Sequence, residues 1–171
     1  MPLPVPRRFS KLEVPIHFVW AVFKRRPLLT PEVEQYVHRI IQHETQKLGR
    51  TVLALNGMPD HVHLAVLFTP TVSIMYFVQQ VKLAVRRALR DRYGTEHFFR
   101  WEQGYSAFAF PYGQRSRVIE YIQNQKSHHE NGKLYAYWEE IGEWRDDFGV
   151  RETVGELCSS GGSEALGYPA D

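Results

Sequence analysis

The chain has a single cysteine, no long hydrophobic run and no glycine-rich phosphate loop, and each absence excludes a class of protein. Cys158 alone rules out an intrachain disulfide and a zinc site built from several cysteines. No apolar run approaches the ~20 residues that a membrane-spanning helix needs. Residues 1–8 lack the apolar core of a signal peptide, so the sequence predicts a cytoplasmic protein without a membrane partner. The Gly-x-x-x-x-Gly-Lys pattern is absent, which argues against a nucleotide cofactor.

Charge divides the chain into a basic body and an acidic end. The net charge is only +2, but residues 151–171 hold four acids and one base. The remaining residues therefore carry 20 bases and 15 acids, an excess that suits a phosphate-bearing partner. We predict three parts: a proline-stiffened N-terminal arm (1–13), one folded domain (14–150) and a flexible acidic tail (151–171).

The secondary-structure signals follow one another in the order β-α-β-β-α-β, with further helix beyond. The strands are predicted at residues 14–23, 51–55, 61–68 and 105–110, and the helices at 30–48, 73–93 and 115–130. This order predicts an α+β, ferredoxin-like (split βαβ) fold, an antiparallel sheet with two helices on one face. The third helix and a Trp-containing segment (137–144) then remain to cover the open face.

His61 and His63 are separated by one apolar residue on the third predicted strand, which is central in such a sheet. Successive strand side chains point to opposite faces, so the two imidazoles share one face while Val62, Leu64 and Val66 share the other. Imidazoles about 6–7 Å apart can converge on one cation. The pair alone leaves open that one histidine makes a core hydrogen bond and the other reaches solvent.

Tyr121 and Gln125 stand four residues apart on the third predicted helix. Side chains at this spacing lie on one helical face, so a phenol hydroxyl and a carboxamide can point together at whatever the histidines hold. The alternative is that Tyr121 packs in the core and Gln125 lies at the surface.

Basic residues recur on one face of the second predicted helix, at Lys82, Arg86 and Arg90, and two more, Arg25 and Arg26, follow the first strand. Such a face can follow a nucleic-acid backbone, since each cation replaces a counterion on a phosphate. A solvated helix surface is the alternative.

Together these motifs resemble the HUH endonuclease superfamily, whose central strand carries His-hydrophobic-His. The Tyr-x-x-x-Gln helix is similar to that of its single-tyrosine transposases, insertion-sequence enzymes that move DNA as single strands. The stretches that carry the resemblance are residues 14–20, 53–63, 101–108 and 121–129.

The resemblance implies a role for each motif residue. His61 and His63 would be metal ligands, Gln125 the third ligand and Tyr121 the nucleophile, carried by the added C-terminal helix. The family cuts single-stranded DNA, stays attached through a 5′-phosphotyrosine, and rejoins the strand to another end. The implied partners are single-stranded DNA with hairpins at the element ends and a second copy of the chain, whose tyrosine helix can complete the site of its partner.

The chemistry of this set is coherent. Two imidazoles and an amide are neutral, so a divalent ion keeps its charge for a phosphate oxygen, and oxygen-rich remaining positions favour Mg²⁺ or Mn²⁺. A tyrosine has a pKa near ~10 and must lose its proton during attack. The general base stays open: His128 and His129 are candidates, but the pattern favours a solvated helix end for both.

Two alternatives remain from the sequence. A ferredoxin-like sheet can bind nucleic acid without cutting it, and a host-adopted HUH nuclease can process repeat elements instead of moving an insertion sequence. Because a pure binding module needs neither a histidine pair nor Tyr121, the sequence favours a DNA strand transferase.

Overall fold

The computed structural model describes residues 14–69, 71–95, 98–139 and 141. The predicted arm and acidic tail lie outside these described residues. The elements are β1 (Val14–Ala21), α1 (Pro31–Lys47), β2 (Thr51–Met58), β3 (His61–Phe68), α2 (Ile74–Tyr93), β4 (Ser106–Ala109), α3 (Arg115–Gln123), α4 (Gln125–Glu130) and α5 (Ala136–Glu139). Within that part of the chain, no helix is both long and apolar enough to span a bilayer.

The four strands form one antiparallel sheet in the order β2-β3-β1-β4. The strand that carries His61 and His63 is central, as the sequence predicts. The element order β-α-β-β-α-β and this strand order confirm the ferredoxin-like, split βαβ fold.

One face of the sheet packs against α1 and α2. Alternate residues of the central strands, such as Phe18 and Leu64, are fully buried there beside Phe77 of α2. The rings of Phe18 and Phe77 lie 5.3 Å apart in a tilted arrangement. Burying one such side chain stabilises the fold by about 1.5–3 kcal/mol, so this face supplies most of the core energy.

The other face is covered by α3 and the short helices that follow it. Ala54 and Ala65 present small side chains there, and Val118 and Ile122 of α3 pack onto them. Small residues let the helix approach the sheet closely. The added C-terminal helix carrying the tyrosine therefore lies on the face of the histidine pair, as predicted.

Two predicted strand ends are wrong by a few residues. The first strand ends at Ala21, because Phe23–Arg25 form a 3-10 turn in which Lys24 and Arg25 have positive φ. The second strand continues to Met58, so only two residues connect it to β3.

The predicted continuous helix over residues 115–130 is also wrong, because Asn124 separates α3 from α4 with φ −98° and ψ 17°. Asn56 of β2 donates its amide to the carbonyl oxygen of Gln123 at 2.9 Å, which attaches the chain to the sheet at the break. The Trp-containing segment is helical over Ala136–Glu139, while residues 140 and 142–144 lie outside the described part of the chain.

Candidate active site

The two histidines are held in the sheet by a two-residue hairpin. Both are almost fully buried on the face that α3 covers. In β2, Gly57 pairs with Val62, and a Cβ at Gly57 would lie 2.5 Å from the backbone oxygen of His61. Glycine is therefore required at this position, since any side chain would push β2 away from the site.

A neighbouring side chain fixes the orientation of each imidazole. His61 Nδ1 lies 2.6 Å from Asp60 Oδ1, and His63 Nδ1 lies 2.9 Å from His17 Nε2. Because both Nδ1 atoms have partners, both Nε2 atoms are left to face the site. Contacts of this kind set the tautomer and direction of ligand histidines.

Asp60 also joins the site to the 3-10 turn after β1. Its Oδ2 lies 3.0 Å from Arg25 Nε, and that arginine is half exposed. Burial alone would raise the pKa of the Asp60 carboxyl, but the hydrogen bond and charge of His61, with the charge of Arg25, hold that pKa below its usual value. Asp60 is therefore an anion bridging His61 and a cation at the rim of the site.

Tyr121 and Gln125 reach the same region although the helix breaks between them. Tyr121 is 2% exposed and Gln125 is fully buried, so Gln125 does not lie at the surface. The Tyr121 ring lies 6.3 Å from that of His63 of the same chain. It also stacks on the ring of His128 at 5.0 Å, so this partly exposed histidine packs against the tyrosine.

Glu139 of α5 contacts the tyrosine, the glutamine and three of the histidines of this site. Its Oε1 accepts hydrogen bonds from the Tyr121 hydroxyl and, at 3.3 Å, from Gln125 Nε2. Its Oε2 lies 3.4 Å from His61 Nε2, 3.5 Å from His63 Nε2 and 3.4 Å from His129 Nε2. A single carboxylate therefore links the nucleophile and ligand candidates.

These contacts shift the pKa values in opposite directions. Burial would raise the pKa of Glu139, but the neighbouring imidazoles of His61 and His63 outweigh it and hold the pKa far below its usual value. Burial, and then the hydrogen bond to Glu139, raises the pKa of Tyr121. At neutral pH the tyrosine is thus protonated beside an ionised carboxylate.

The donor atoms of the site suit a divalent ion. The Nε2 atoms of His61, His63 and His129 and the Oε1 of Gln125 are buried without a hydrogen-bond partner among the described residues. Buried polar atoms normally have a hydrogen-bond partner, so buried ligand atoms that lack one are expected where a cation completes their bonding. One ligand atom each from His61, His63 and Glu139 lie within 4.8 Å of one another.

The five basic residues predicted to bind DNA fall into three places. Arg25 and Arg26 lie at the turn beside the site, whereas Arg86 and Arg90 are exposed on α2, across the sheet from it. Lys82, also on α2, is only partly exposed. Its ammonium donates to the carbonyl oxygens of residues 102 and 104 at 2.9 and 2.8 Å, and burial lowers its pKa to about 8. Lys82 therefore attaches the loop of residues 102–104 to α2.

His17 gives the first testable consequence of this geometry. It is 1% exposed, and burial and the neighbouring His63 lower its pKa to about 3, so it is neutral and its Nε2 can accept a hydrogen bond from His63 Nδ1–H. We expect His17→Phe to weaken Mn²⁺ binding about 10–100-fold, as loss of such orienting contacts does. His17→Gln, which keeps an acceptor, should lose less. Electron paramagnetic resonance of free Mn²⁺ measures both; equal affinities for Phe and wild type would make His17 a packing residue.

Three site residues were not predicted: His17, Asp60 and Glu139. The sequence weakly indicates two of them. Asp60 is adjacent to His61 in the turn, and strand alternation puts His17 on the face opposite to Phe18. No sequence pattern indicated Glu139 as a site residue. It lies in an amphipathic segment, where a single glutamate is equally expected on a solvated surface.

The chain is similar to known transposases in sequence and in fold. Residues 10–125 match the family model described as IS200-like transposase. The ISDra2 transposase TnpA of Deinococcus radiodurans is 29% identical over 114 residues, which is 64% of this chain and 81% of that protein. A crystal structure assigned to a transposase of D. radiodurans R1 has a TM-score of 0.57 at 27% identity, covering 71% of this chain and 97% of its own. A REP-associated tyrosine transposase bound to a REP hairpin has the same fold, with a TM-score of 0.53 at 15% identity and 74% of each chain covered.

Proposed function

The chain belongs to the IS200-like transposase family, and from that membership we propose that it cleaves and rejoins single-stranded DNA through a 5′-phosphotyrosine at Tyr121. The observation that carries the proposal is the convergence of three groups on one carboxylate. The Tyr121 hydroxyl contacts one oxygen of Glu139, and the Nε2 atoms of His61 and His63 lie beside the other. A nucleophile and two metal-ligand candidates thus face the same point.

In the proposed cleavage, the Tyr121 oxygen forms a bond to phosphorus while the bond from phosphorus to the 3′ oxygen breaks. During attack the phenol proton passes along its hydrogen bond to Glu139 Oε1 and from there to water, and the leaving 3′ oxygen takes up a proton from water. Attack of a 3′ hydroxyl on the phosphotyrosine reverses the step. The ester conserves the energy of the broken bond, so rejoining needs no nucleotide cofactor.

The ligands proposed for the ion are His61 and His63 through Nε2 and Gln125 through Oε1, and Mg²⁺ or Mn²⁺ suits the remaining oxygen-rich positions. When bound, a divalent ion supplies Lewis acidity at a phosphate oxygen. The protein orients its ligands through Asp60 and His17, as the contacts at Nδ1 indicate.

The proposed substrate is single-stranded DNA with a hairpin, as in the REP-associated neighbour that is bound to one. Arg25 and Arg26 would contact phosphates near the cut, and the position of Arg25, 3.0 Å from Asp60 at the rim, supports this. Arg86 and Arg90 would contact DNA far from the chemistry, because α2 packs on the opposite face of the sheet.

We expect the double substitution of Arg86→Ala and Arg90→Ala to weaken DNA binding without slowing cleavage of bound DNA. If each arginine neutralises one phosphate, the slope of log affinity against log salt falls by about 1.4–1.8 in total. Fluorescence anisotropy at several salt concentrations measures this slope. The matched control is Arg39→Ala with Lys47→Ala on α1, which removes the same charge from another exposed surface. An unchanged slope in the α2 variant would contradict a DNA contact there.

A homodimer stays a prediction of the family resemblance. Tyr121 and His63 of the same chain already lie in one site, at a ring distance of 6.3 Å. One chain therefore holds both halves of the proposed machinery, and exchange of tyrosine helices between chains is not required to bring them together.

The experiment that tests the function is a denaturing-gel shift. The full chain is incubated with end-labelled single strands carrying the hairpins that flank its own gene, with Mn²⁺ or Mg²⁺ or with EDTA. A labelled band that survives SDS, requires the metal and retains the label of the 3′ fragment supports cleavage through a 5′-phosphotyrosine. Native-gel binding without any such band would favour the non-cleaving binding module.

A further inference from the structure

Glu139 lies 14 residues beyond the end of the family match, so membership of the family gives it no role. We propose that Glu139 is a metal ligand of this chain and couples the ion to the nucleophile: one carboxylate oxygen joins His61 and His63 at the ion, and the other holds the Tyr121 hydroxyl. This inference rests on the proposed function for the presence of a divalent ion.

The spacing around Oε2 is that of atoms that share an ion. This oxygen lies 3.4 and 3.5 Å from the Nε2 atoms of His61 and His63, which is beyond the range of a well-formed hydrogen bond. Two atoms that each bind one cation at about 2.1 Å lie about 3.0–3.5 Å apart in octahedral or tetrahedral sites. Oε2 therefore lies at the distance expected of a ligand atom next to the two histidine nitrogens, and not at the position of the ion itself.

Burial points the same way. The side chain of Glu139 is only 15% exposed, and those of His61 and His63 are at most 1% exposed. A carboxylate is costly to bury unless cations or strong donors surround it. The donors that surround Oε2 are imidazole nitrogens that have no hydrogen-bond partner among the described residues, which is the arrangement a cation would complete.

The second oxygen extends the site to the nucleophile. Oε1 accepts hydrogen bonds from Tyr121 and from Gln125. The same carboxylate thus contacts the phenol through Oε1 and the two histidines through Oε2. Gln125 then acts in two ways, with its nitrogen on Glu139 and its buried oxygen free to face the ion. A competing account is that Glu139 only covers the histidines and is displaced by the phosphate of DNA.

Mn²⁺ binding to the full chain without DNA separates these accounts. We expect Glu139→Gln to weaken Mn²⁺ binding at least about tenfold, since even orienting residues outside the ligand set cost about 10–100-fold. Glu139→Asp keeps a carboxylate, so its Mn²⁺ affinity should lie between those of Glu139→Gln and the wild type. Glu120→Gln is the matched control, because it removes the same charge from an exposed position on α3. Calorimetry or electron paramagnetic resonance measures all four proteins.

Each outcome decides one point. Weak binding by Glu139→Gln, with Asp intermediate and the control at wild-type affinity, supports the ligand role. Equal or tighter Mn²⁺ binding by Glu139→Gln overturns it, and a simultaneous gain in DNA affinity in EDTA would identify Glu139 as a displaceable cover. If His63→Ala abolishes Mn²⁺ binding in that case, the metal site of the proposed function stands without Glu139. A wild-type chain that binds no Mn²⁺ overturns both proposals.

Discussion

Tyr121→Phe is expected to abolish the SDS-resistant DNA adduct while leaving DNA binding intact. The substitution removes one oxygen atom, and that atom is the proposed nucleophile, so the reaction loses its covalent step. Removing the nucleophile of an enzyme that works through a covalent intermediate costs up to about 10⁶-fold in rate. The ring itself stays, with its contacts to His128 at 5.0 Å and Trp138 at 4.9 Å, so the fold and the DNA surface are retained. Single-turnover assays on the denaturing gel measure the loss.

Tyr135 provides a matched control for this experiment. Its ring lies 5.2 Å from that of Tyr121, but its side chain is 45% exposed and its hydroxyl contacts Arg117. We expect Tyr135→Phe to form the adduct at the wild-type rate. An adduct in Tyr121→Phe, or its loss only in Tyr135→Phe, would show that the nucleophile is another residue.

The fold could be predicted because local patterns and topology agree. In β3, polar and apolar side chains alternate so that His61 and His63 can lie only on the face opposite Val62 and Leu64, whichever strand pairs with β3. The order of elements then leaves few ways to form a sheet. The errors are at element ends, where a tertiary contact decides. The helix breaks where Asn56 donates a hydrogen bond to the carbonyl oxygen of Gln123. The local sequence of residues 115–130 did not predict this break.

The candidate site was predictable only in part, for the same reason. The spacing of Tyr121 and Gln125 predicts a shared direction, and both side chains do contact Glu139. The pairing of His17 with His63 depends on the register of β1 against β3, in which His17 lies opposite Ala65. Periodicity predicts faces but not register, so a contact between diagonal neighbours stays hidden. The anchoring of Lys82 likewise depends on where an irregular loop runs.

His63→Ala is expected to remove metal binding and, with it, most of the cleavage rate. His63 is fully buried, lies 3.5 Å from Glu139 and is oriented by His17, so its removal takes one of the two imidazoles from the proposed site. Lewis-acid stabilisation by a metal is worth several kcal/mol, so its loss lowers the rate by about 10²–10⁴-fold. The matched control is His43→Ala, since His43 is an exposed histidine on α1, away from the site.

Thermal unfolding separates this effect from simple destabilisation. An ion that binds only the folded chain stabilises it by about 2.7 kcal/mol at 100 times its dissociation constant. For a chain of this size each kcal/mol raises Tm by about 2–4 °C, so Mn²⁺ should raise the wild-type Tm by about 5–10 °C, and EDTA should reverse the shift. His63→Ala should unfold at a lower temperature in EDTA, because a cavity replaces a buried ring, and should show no rise with Mn²⁺. A normal rise in this variant would mean that the ion binds elsewhere, since the two histidines can form the proposed site only as a pair.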